Sequence, residues 1–176
     1  MTEIDLRDAV TNEIQGHNVT EELIVDLTAG AHRTELEIGY SADLCFDIIP
    51  RDSRTRRVDW RQLPLEPETV DLLIFDPPHQ VYGFGRESWL VDTFSSFRNI
   101  REAEAILTES FAEFRRVLKP NGSLLLKWST NHRPLSWILG LSGMQSRVLV
   151  ERSSLSAQPS RPFSHRAIVS WTEMWK

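Results

Sequence analysis

Four short apolar runs, each carrying an aspartate at or near its end, constrain this chain more than any other feature. They are Leu23-Ile24-Val25-Asp26-Leu27, Asp43-Leu44-Cys45-Phe46-Asp47-Ile48-Ile49, Arg56-Arg57-Val58-Asp59-Trp60 and Thr69-Val70-Asp71-Leu72-Leu73-Ile74-Phe75, the last followed by Asp76. Runs of this length, rich in β-branched and aromatic residues and bounded by turn formers, read as buried strands. The bounds are Thr28-Ala29-Gly30, Pro50 and Pro77-Pro78. Between 100 and 118 the period changes. Apolar residues at 103, 106, 107, 111, 114, 117 and 118 predict an amphipathic helix, ended by the turn chemistry of Lys119-Pro120-Asn121-Gly122. Ser123 to Trp128 then reads as a fifth strand and Pro134 to Leu141 as a short helix. Two further strands, near 146–151 and 165–171, flank a loop rich in Ser and Pro. Residues 31–40 read as a brief helix closed by Gly39, and 1–20 as an N-terminal arm or short helix with Ile4, Leu6, Val10 and Ile14 among acids. Strands alternating with helices imply an α/β fold with a mainly parallel sheet, its last two strands pairing antiparallel at one edge. The expected organisation is one domain over 21–176.

In an open sheet of this kind, ligands sit at the carboxyl ends of the strands. Four successive exits there carry a carboxylate: Asp26, Asp47, Asp59 and Asp76. Any one of them has a plainer explanation, because Asp caps helices and starts turns. Four together, the last in Asp76-Pro77-Pro78-His79, point to a site. Two consecutive prolines have fixed φ and no N–H, so the carbonyls of this turn project in set directions. The ionised Asp76 adds acceptor-only oxygens. A rigid acceptor cluster beside a flat imidazole suits a neutral amine that carries two N–H donors on a planar ring. The competing reading is a strand-ending Pro-Pro turn with an unrelated histidine.

Phe75-Asp76-Pro77-Pro78-His79, Ser88-Trp89, the stretch from Phe111 through Arg116-Val117-Leu118-Lys119-Pro120, then Gly122 and Lys127-Trp128 carry a resemblance to a known family. The chain resembles the class I S-adenosylmethionine-dependent amino-methyltransferases. Their signature turn is Asp/Asn-Pro-Pro followed by an aromatic residue. More narrowly, it is similar to small phage and prokaryotic methyltransferase-like proteins with histidine in that place. The likeness spans roughly residues 23–130 and implies a Rossmann-like methyltransferase fold. It also implies that Asp26, Thr28, Ala29 and Gly30 open the site of the cofactor, S-adenosylmethionine. Asp47 would meet the ribose hydroxyls and Asp59 the adenine amine, while Trp60 would cover a face of the adenine or else belong to the core. The family's turn after the first strand is richer in glycine; here Gly30 stands alone and His32 falls where a second glycine is usual.

On this reading Asp76 and the carbonyl of Pro77 accept the two N–H bonds of an exocyclic base amine. Its lone pair is thereby turned toward the methyl group, while Pro78 stiffens the turn and His79 stacks on the base. The loop Tyr82-Gly83-Phe84-Gly85 through Trp89 has the composition of a lid; Phe84 and Trp89 would contact bases, or Trp89 would only anchor the loop. Lys127 and Trp128, at the end of the fifth strand, are candidate substrate contacts, with Lys127 meeting a phosphate or capping the sheet edge. Adenine N6 in DNA is the expected acceptor. An RNA base, a protein glutamine, or a degenerate cofactor-binding subunit without activity are the competing readings. The connections on either side of the third strand are too short for helical crossovers, which normally need a dozen residues or more. One side of the sheet is therefore expected to be thinly covered and open to a partner subunit or a second copy of the chain.

Net charge is −5 over 176 residues, which argues superficially against nucleic acid. The distribution differs: residues 1–50 hold eleven acids and two bases, and the remainder carries a net +4. Arg51, Arg54, Arg56, Arg57 and Arg61 form one basic stretch, and Arg147, Arg152, Arg161, Arg166 and Lys176 a second. Were both to flank the site, they would meet a phosphate backbone. The single cysteine, Cys45, excludes an internal disulfide framework and a multi-cysteine zinc site, and no metal is expected. No apolar run reaches the length of a membrane span and no targeting segment is visible, so a cytoplasmic location is expected.

Overall fold

Short strands can build a sheet only if their edges are paired and their faces covered, and the order of pairing decides which exits become neighbours. The computed structural model describes residues 22–30, 39, 41–79, 81, 97–130, 132–154 and 167–176. The expected arm at 1–20, the body of the helix at 31–40, the loop at 82–89 with Phe84 and Trp89, and the Ser/Pro-rich loop with Arg161 and Arg166 lie outside these residues. The strands are β1 (Ile24–Asp26), β2 (Leu44–Asp47), β3 (Thr55–Arg57), β4 (Val70–Phe75), β5 (Leu118–Ser129), β6 (Gln145–Ser154) and β7 (Ala167–Trp175). Two helices, α1 (Ile100–Val117) and α2 (Leu135–Ser142), are described with them. The sheet runs β3-β2-β1-β4-β5-β7-β6. Its first five strands are parallel, and β7 lies antiparallel between β5 and β6. This is a Rossmann-like sheet with the expected C-terminal antiparallel pair. No helix among the described residues is long and apolar enough to cross a membrane.

One face of the sheet holds most of the core. Helix α1 starts where the Asn99 side chain accepts the N–H of Glu102 at 2.9 Å. It buries Ala103, Leu107, Phe111, Phe114 and Val117 along one stripe. Phe75 of β4 meets Phe114 and Phe111 edge to face, with centroids 4.9 and 6.3 Å apart. The other face carries a much smaller buried cluster, Ala29, Ala42 and Cys45 with Ile24 packed against it.

Two elements depart from the sequence expectation. β3 starts one residue earlier and ends three earlier, at Thr55–Arg57, so Val58, Asp59 and Trp60 lie beyond its end. The connections at 48–54 and 58–69 contain no helix, as their length led us to expect. Strands of only three or four residues let the chain cross over in irregular loops. The second departure is Lys119-Pro120-Asn121-Gly122, which does not form a free turn. It lies within β5, where pairing jumps from Val70↔Leu118 to Leu72↔Ser123, leaving these four residues as an irregularity in the ladder. The helix yields directly to strand because Leu118 adopts an extended backbone. Lys119 Nζ is 2.6 Å from Asp71 Oδ2, an oxygen that also accepts the N–H of Leu23 at 2.9 Å.

Gly122 makes this irregularity possible. A Cβ there would sit 2.7 Å from the Val70 carbonyl oxygen and 3.0 Å from the Lys119 nitrogen, both backbone atoms that cannot rotate away. Gly122→Ala should therefore lower the unfolding free energy by about 1–3 kcal/mol, the range of overpacked interiors. Urea denaturation checks this; a midpoint equal to the parent's would show that β4 and β5 are looser than described.

Candidate functional site

The exit of β1 is a turn to which the neighbouring strand ends are tied. Within it, Asp26 Oδ1 accepts the N–H of Thr28 at 2.9 Å, an Asx turn that bends the chain immediately after the strand. The N–H of Leu27 donates to the Ile74 carbonyl of β4, and that of Ala29 to the Phe46 carbonyl of β2. Gly30 donates to Asp47 Oδ2 at 3.0 Å. Its φ of +48° is a backbone conformation that residues with a Cβ rarely adopt, which is why one glycine remains here. The Thr28 hydroxyl accepts the N–H of Asp76 at 2.7 Å and so joins the first turn to the Asp76-Pro77-Pro78-His79 turn.

Two expected cofactor contacts take other positions. Trp60 is 2% exposed; its indole N–H donates to the Leu27 carbonyl at 2.8 Å and its ring meets Phe75 edge to face at 5.1 Å. It is a core residue that braces the β1 turn from beneath, and it is too enclosed to cover a nucleoside ring. Asp26 is fully buried. It shapes the turn through its bond to Thr28. Ala29 is likewise buried and offers only its backbone.

Asp47 and Asp59 remain at the surface of the site. Asp47 Oδ1 accepts the N–H of Ile49 at 2.8 Å, and Oδ2 that of Gly30. Burial nonetheless pushes its carboxyl above the usual range, against these bonds and the nearby Arg51 charge. Asp59 faces Arg61 at 2.6 Å, and that bond holds it below the usual range. The exits of β1 and β2 thus combine close backbone approach at Gly30, an acid with spare lone pairs at Asp47, and half-buried apolar surface at Ile48 and Ile49. That set fits the sugar, base and aliphatic parts of S-adenosylmethionine. Ile48, which also packs against the core, and Ile49 offer half-buried apolar surface where Trp60 does not. They were visible in the sequence only as the end of a strand.

At the end of β4, Asp76 lies between two cationic or donor groups. Its Oδ1 is 3.2 Å from His79 Nε2 and its Oδ2 is 3.1 Å from Lys127 Nζ. The three side chains are 23%, 24% and 15% exposed, respectively. Lys127 also sits 5.4 Å above the ring centre of Trp171, its neighbour on β7. Burial would raise the Asp76 carboxyl, but the bond from His79 and the charge of Lys127 prevail, and its pKa lies below the usual value. His79 Nδ1 is buried and has no hydrogen-bond partner among the described residues. Pro77 is buried and Pro78 half-buried.

Trp128, expected to touch substrate, is fully buried, and its indole N–H donates to the Arg133 carbonyl. It acts instead as a wall: the His79 ring stands edge-on to it at 5.3 Å. Lys127 is brought to the site, but to Asp76. No sequence signal could have identified Trp171, because only the antiparallel return of β7 places it beside Lys127. Among the described residues, the two arginine stretches do not share a flank. Arg56 and Arg57 lie on β3 and Arg147 and Arg152 on β6, the opposite edges of seven strands. At about 4.8 Å per strand these edges are roughly 29 Å apart. Arg147 is paired with Glu173 at 2.7 Å.

No protein-family model and no curated protein matches this chain. Among solved structures, the YcgJ protein of Bacillus subtilis is similar at a TM-score of 0.54 and 12% identity, over 98% of this chain and 99% of its own. The PH0226 protein of Pyrococcus horikoshii is similar at 0.53 and 13% identity, over 100% of this chain and 92% of its own. A SAM-dependent methyltransferase of Thermotoga maritima aligns at 0.48 and 14% identity, over 97% of this chain and 90% of its own. The first two likenesses establish the fold, and one fold hosts many chemistries, so the reaction has to be argued from the site.

Two outcomes follow from this geometry. Thr28→Val keeps the side-chain shape but leaves the Asp76 N–H without its acceptor, at a cost of about 1–3 kcal/mol in urea unfolding. The lowered pKa of Asp76 means that its ionised form stabilises the fold above the unfolded carboxylate value of 3.8, and that this contribution fades as pH falls through the lower folded value. The stabilities of wild type and Asp76→Asn should accordingly converge on acidification below 3.8. A constant gap across that range would remove the ion pair from the account.

Proposed function

We propose that this protein transfers the methyl group of S-adenosylmethionine to an exocyclic amine of a nucleic-acid base, adenine N6 in DNA being the acceptor it suits best. The observation that carries this reading is Asp76-Pro77-Pro78-His79 at the exit of β4, with its carboxylate held ionised between His79 and Lys127. The turn at Thr28 to Gly30, with Asp47, Ile48 and Ile49, would hold the cofactor. When bound, it supplies an electrophilic methyl group on a sulfonium.

The chain's own residues have to orient the nucleophile. A ring amine is a weak nucleophile because its lone pair is delocalised into the ring. Asp76 would accept one of its N–H bonds and the Pro77 carbonyl the other, drawing the nitrogen toward a pyramidal shape with its lone pair facing the methyl. Such help is positional and electrostatic, and its strength depends on acceptors that are rigid before the substrate arrives. Thr28 and the prolines supply that rigidity. The base would leave its stack to reach the turn, at a cost of a few kcal/mol. Arg152 pairs with Val169, which in turn pairs with Ser129 at the end of β5. On the opposite edge Arg57 pairs with Asp47 at the end of β2, so each edge brings an arginine to the level of the strand exits, where it would meet a phosphate. Aspartate rather than asparagine at 76 favours a nucleobase amine over a glutamine amide by resemblance.

The test is incubation with labelled cofactor and separate DNA and RNA pools, followed by mass spectrometry of the nucleosides. N6-methyladenine in the DNA pool is the expected product; label confined to RNA would redirect the proposal, and label in neither would overturn it. Asp76→Ala should reduce transfer by roughly 10²–10³-fold, the scale for losing a preorganised electrostatic group. Cofactor affinity should stay unchanged in a calorimetric titration of the same variant.

A further inference from the structure

Lys127 is the one lysine ammonium seen to be drawn into the site among the described residues. Lysine is rarely this enclosed unless something holds its charge. Two elements hold it: Asp76 after β4, at 3.1 Å, and the Trp171 ring on β7, at 5.4 Å. The register of β4 and β5, in which Phe75 pairs with Leu126, places Asp76 and Lys127 side by side at the strand exits. The charge of Asp76 is therefore matched before any substrate arrives. On the opposite carboxylate oxygen, His79 supplies a further donor at 3.2 Å.

From this geometry we infer that Lys127 sets the charge class of the acceptor: the site admits a neutral planar amine and rejects an ammonium. This rests on the proposed reading of Asp76 as the acceptor of the substrate's N–H bonds. A nitrogen bonded to Asp76 at about 3 Å comes within a few ångströms of Lys127 Nζ. A neutral amine meets no repulsion there and keeps both its N–H donors and its lone pair. A protonated alkylamine faces a like charge in a poorly solvated place, and its lone pair is already occupied by a proton. With Lys127 removed, the enclosed Asp76 would be an anion short of a counter-charge and would attract that same ammonium. Lys127 is thus a positioning residue that acts through Asp76. Trp171 holds it in place.

Binding rather than turnover tests this. The full chain, saturated with S-adenosylhomocysteine so that no transfer occurs, is titrated by NMR with 9-methyladenine and with benzylamine, which is an ammonium at pH 7. Wild type should bind 9-methyladenine at least tenfold more tightly. Lys127→Met should shrink or invert that ratio, and Lys127→Arg should keep it. The acid limb of 9-methyladenine binding should also move to higher pH in Lys127→Met, because Asp76 then ionises against its burial with one cation fewer. Equal binding of both probes by wild type, or no binding of 9-methyladenine, overturns the inference. So does a Lys127→Met protein, folded by circular dichroism, with unchanged ratio and unchanged acid limb. If that variant does not fold, the wild-type ratio and Lys127→Arg decide. Failure to methylate any nucleic acid would count against the proposed reaction while leaving the charge selection standing, so the two failures are distinguishable.

Discussion

The turn from Leu27 to Gly30 is the constraint on which the rest of this molecule depends. In four residues it donates to β4 and β2, accepts the indole N–H of Trp60, and accepts the Asp76 N–H through the Thr28 hydroxyl. Its last N–H meets the carboxylate that ends β2. Strands of three and four residues have few ladder bonds of their own. The connections around β3 are irregular as well. A hub of specific bonds therefore takes over what longer strands and crossover helices do elsewhere: it fixes how the exits sit relative to one another. The same bonds give the site its rigidity, since acceptors oriented in advance need not reorganise when a substrate binds.

Two carboxylates of this edge illustrate how surroundings divide one residue type into two roles. Asp47 is enclosed, and burial raises its pKa despite its N–H bonds and the nearby charge of Arg51. Asp76 is also enclosed, but His79 and Lys127 hold its charge. In the function proposed above, the first would accept hydroxyl hydrogens from a sugar, and the second, its charge already matched, would receive the N–H bonds of an amine. Both depend on groups from other strands.

Charge is distributed over this sheet by strand order rather than by position in the chain. The arginines of β3 and β6 stand at its two edges, and the exposed apolar residues Val148, Leu149 and Val150 lie on β6 beside Arg147 and Arg152. The pairing of β6 with β7 is irregular between Val148 and Val150, and charges with an irregular ladder are common on edge strands. A net charge of −5 is thus a sum over surfaces that do not act together.

Much of the fold and part of the site are legible from local chemistry alone. β-branched runs must pair, a Pro-Pro step must end a strand, and the period from Ala103 to Val117 can bury only one helical face. These requirements identify the parallel strands, the helix before β5, and the exits where Asp26, Asp47 and Asp76 stand. They do not say which way a side chain turns once the strands are packed. Trp60 and Trp128 are aromatic residues at strand ends in the sequence, yet packing draws both inward, where their indole N–H groups find backbone carbonyls. Lys127 shows no sign of Trp171 in the sequence, because their contact arises from antiparallel pairing across a long connection. Residue identity and spacing therefore determined the sheet and its acidic edge. Tertiary structure alone decided the burial, partners and charge state of those acids, since desolvation and ion pairing depend on neighbours brought from distant parts of the chain.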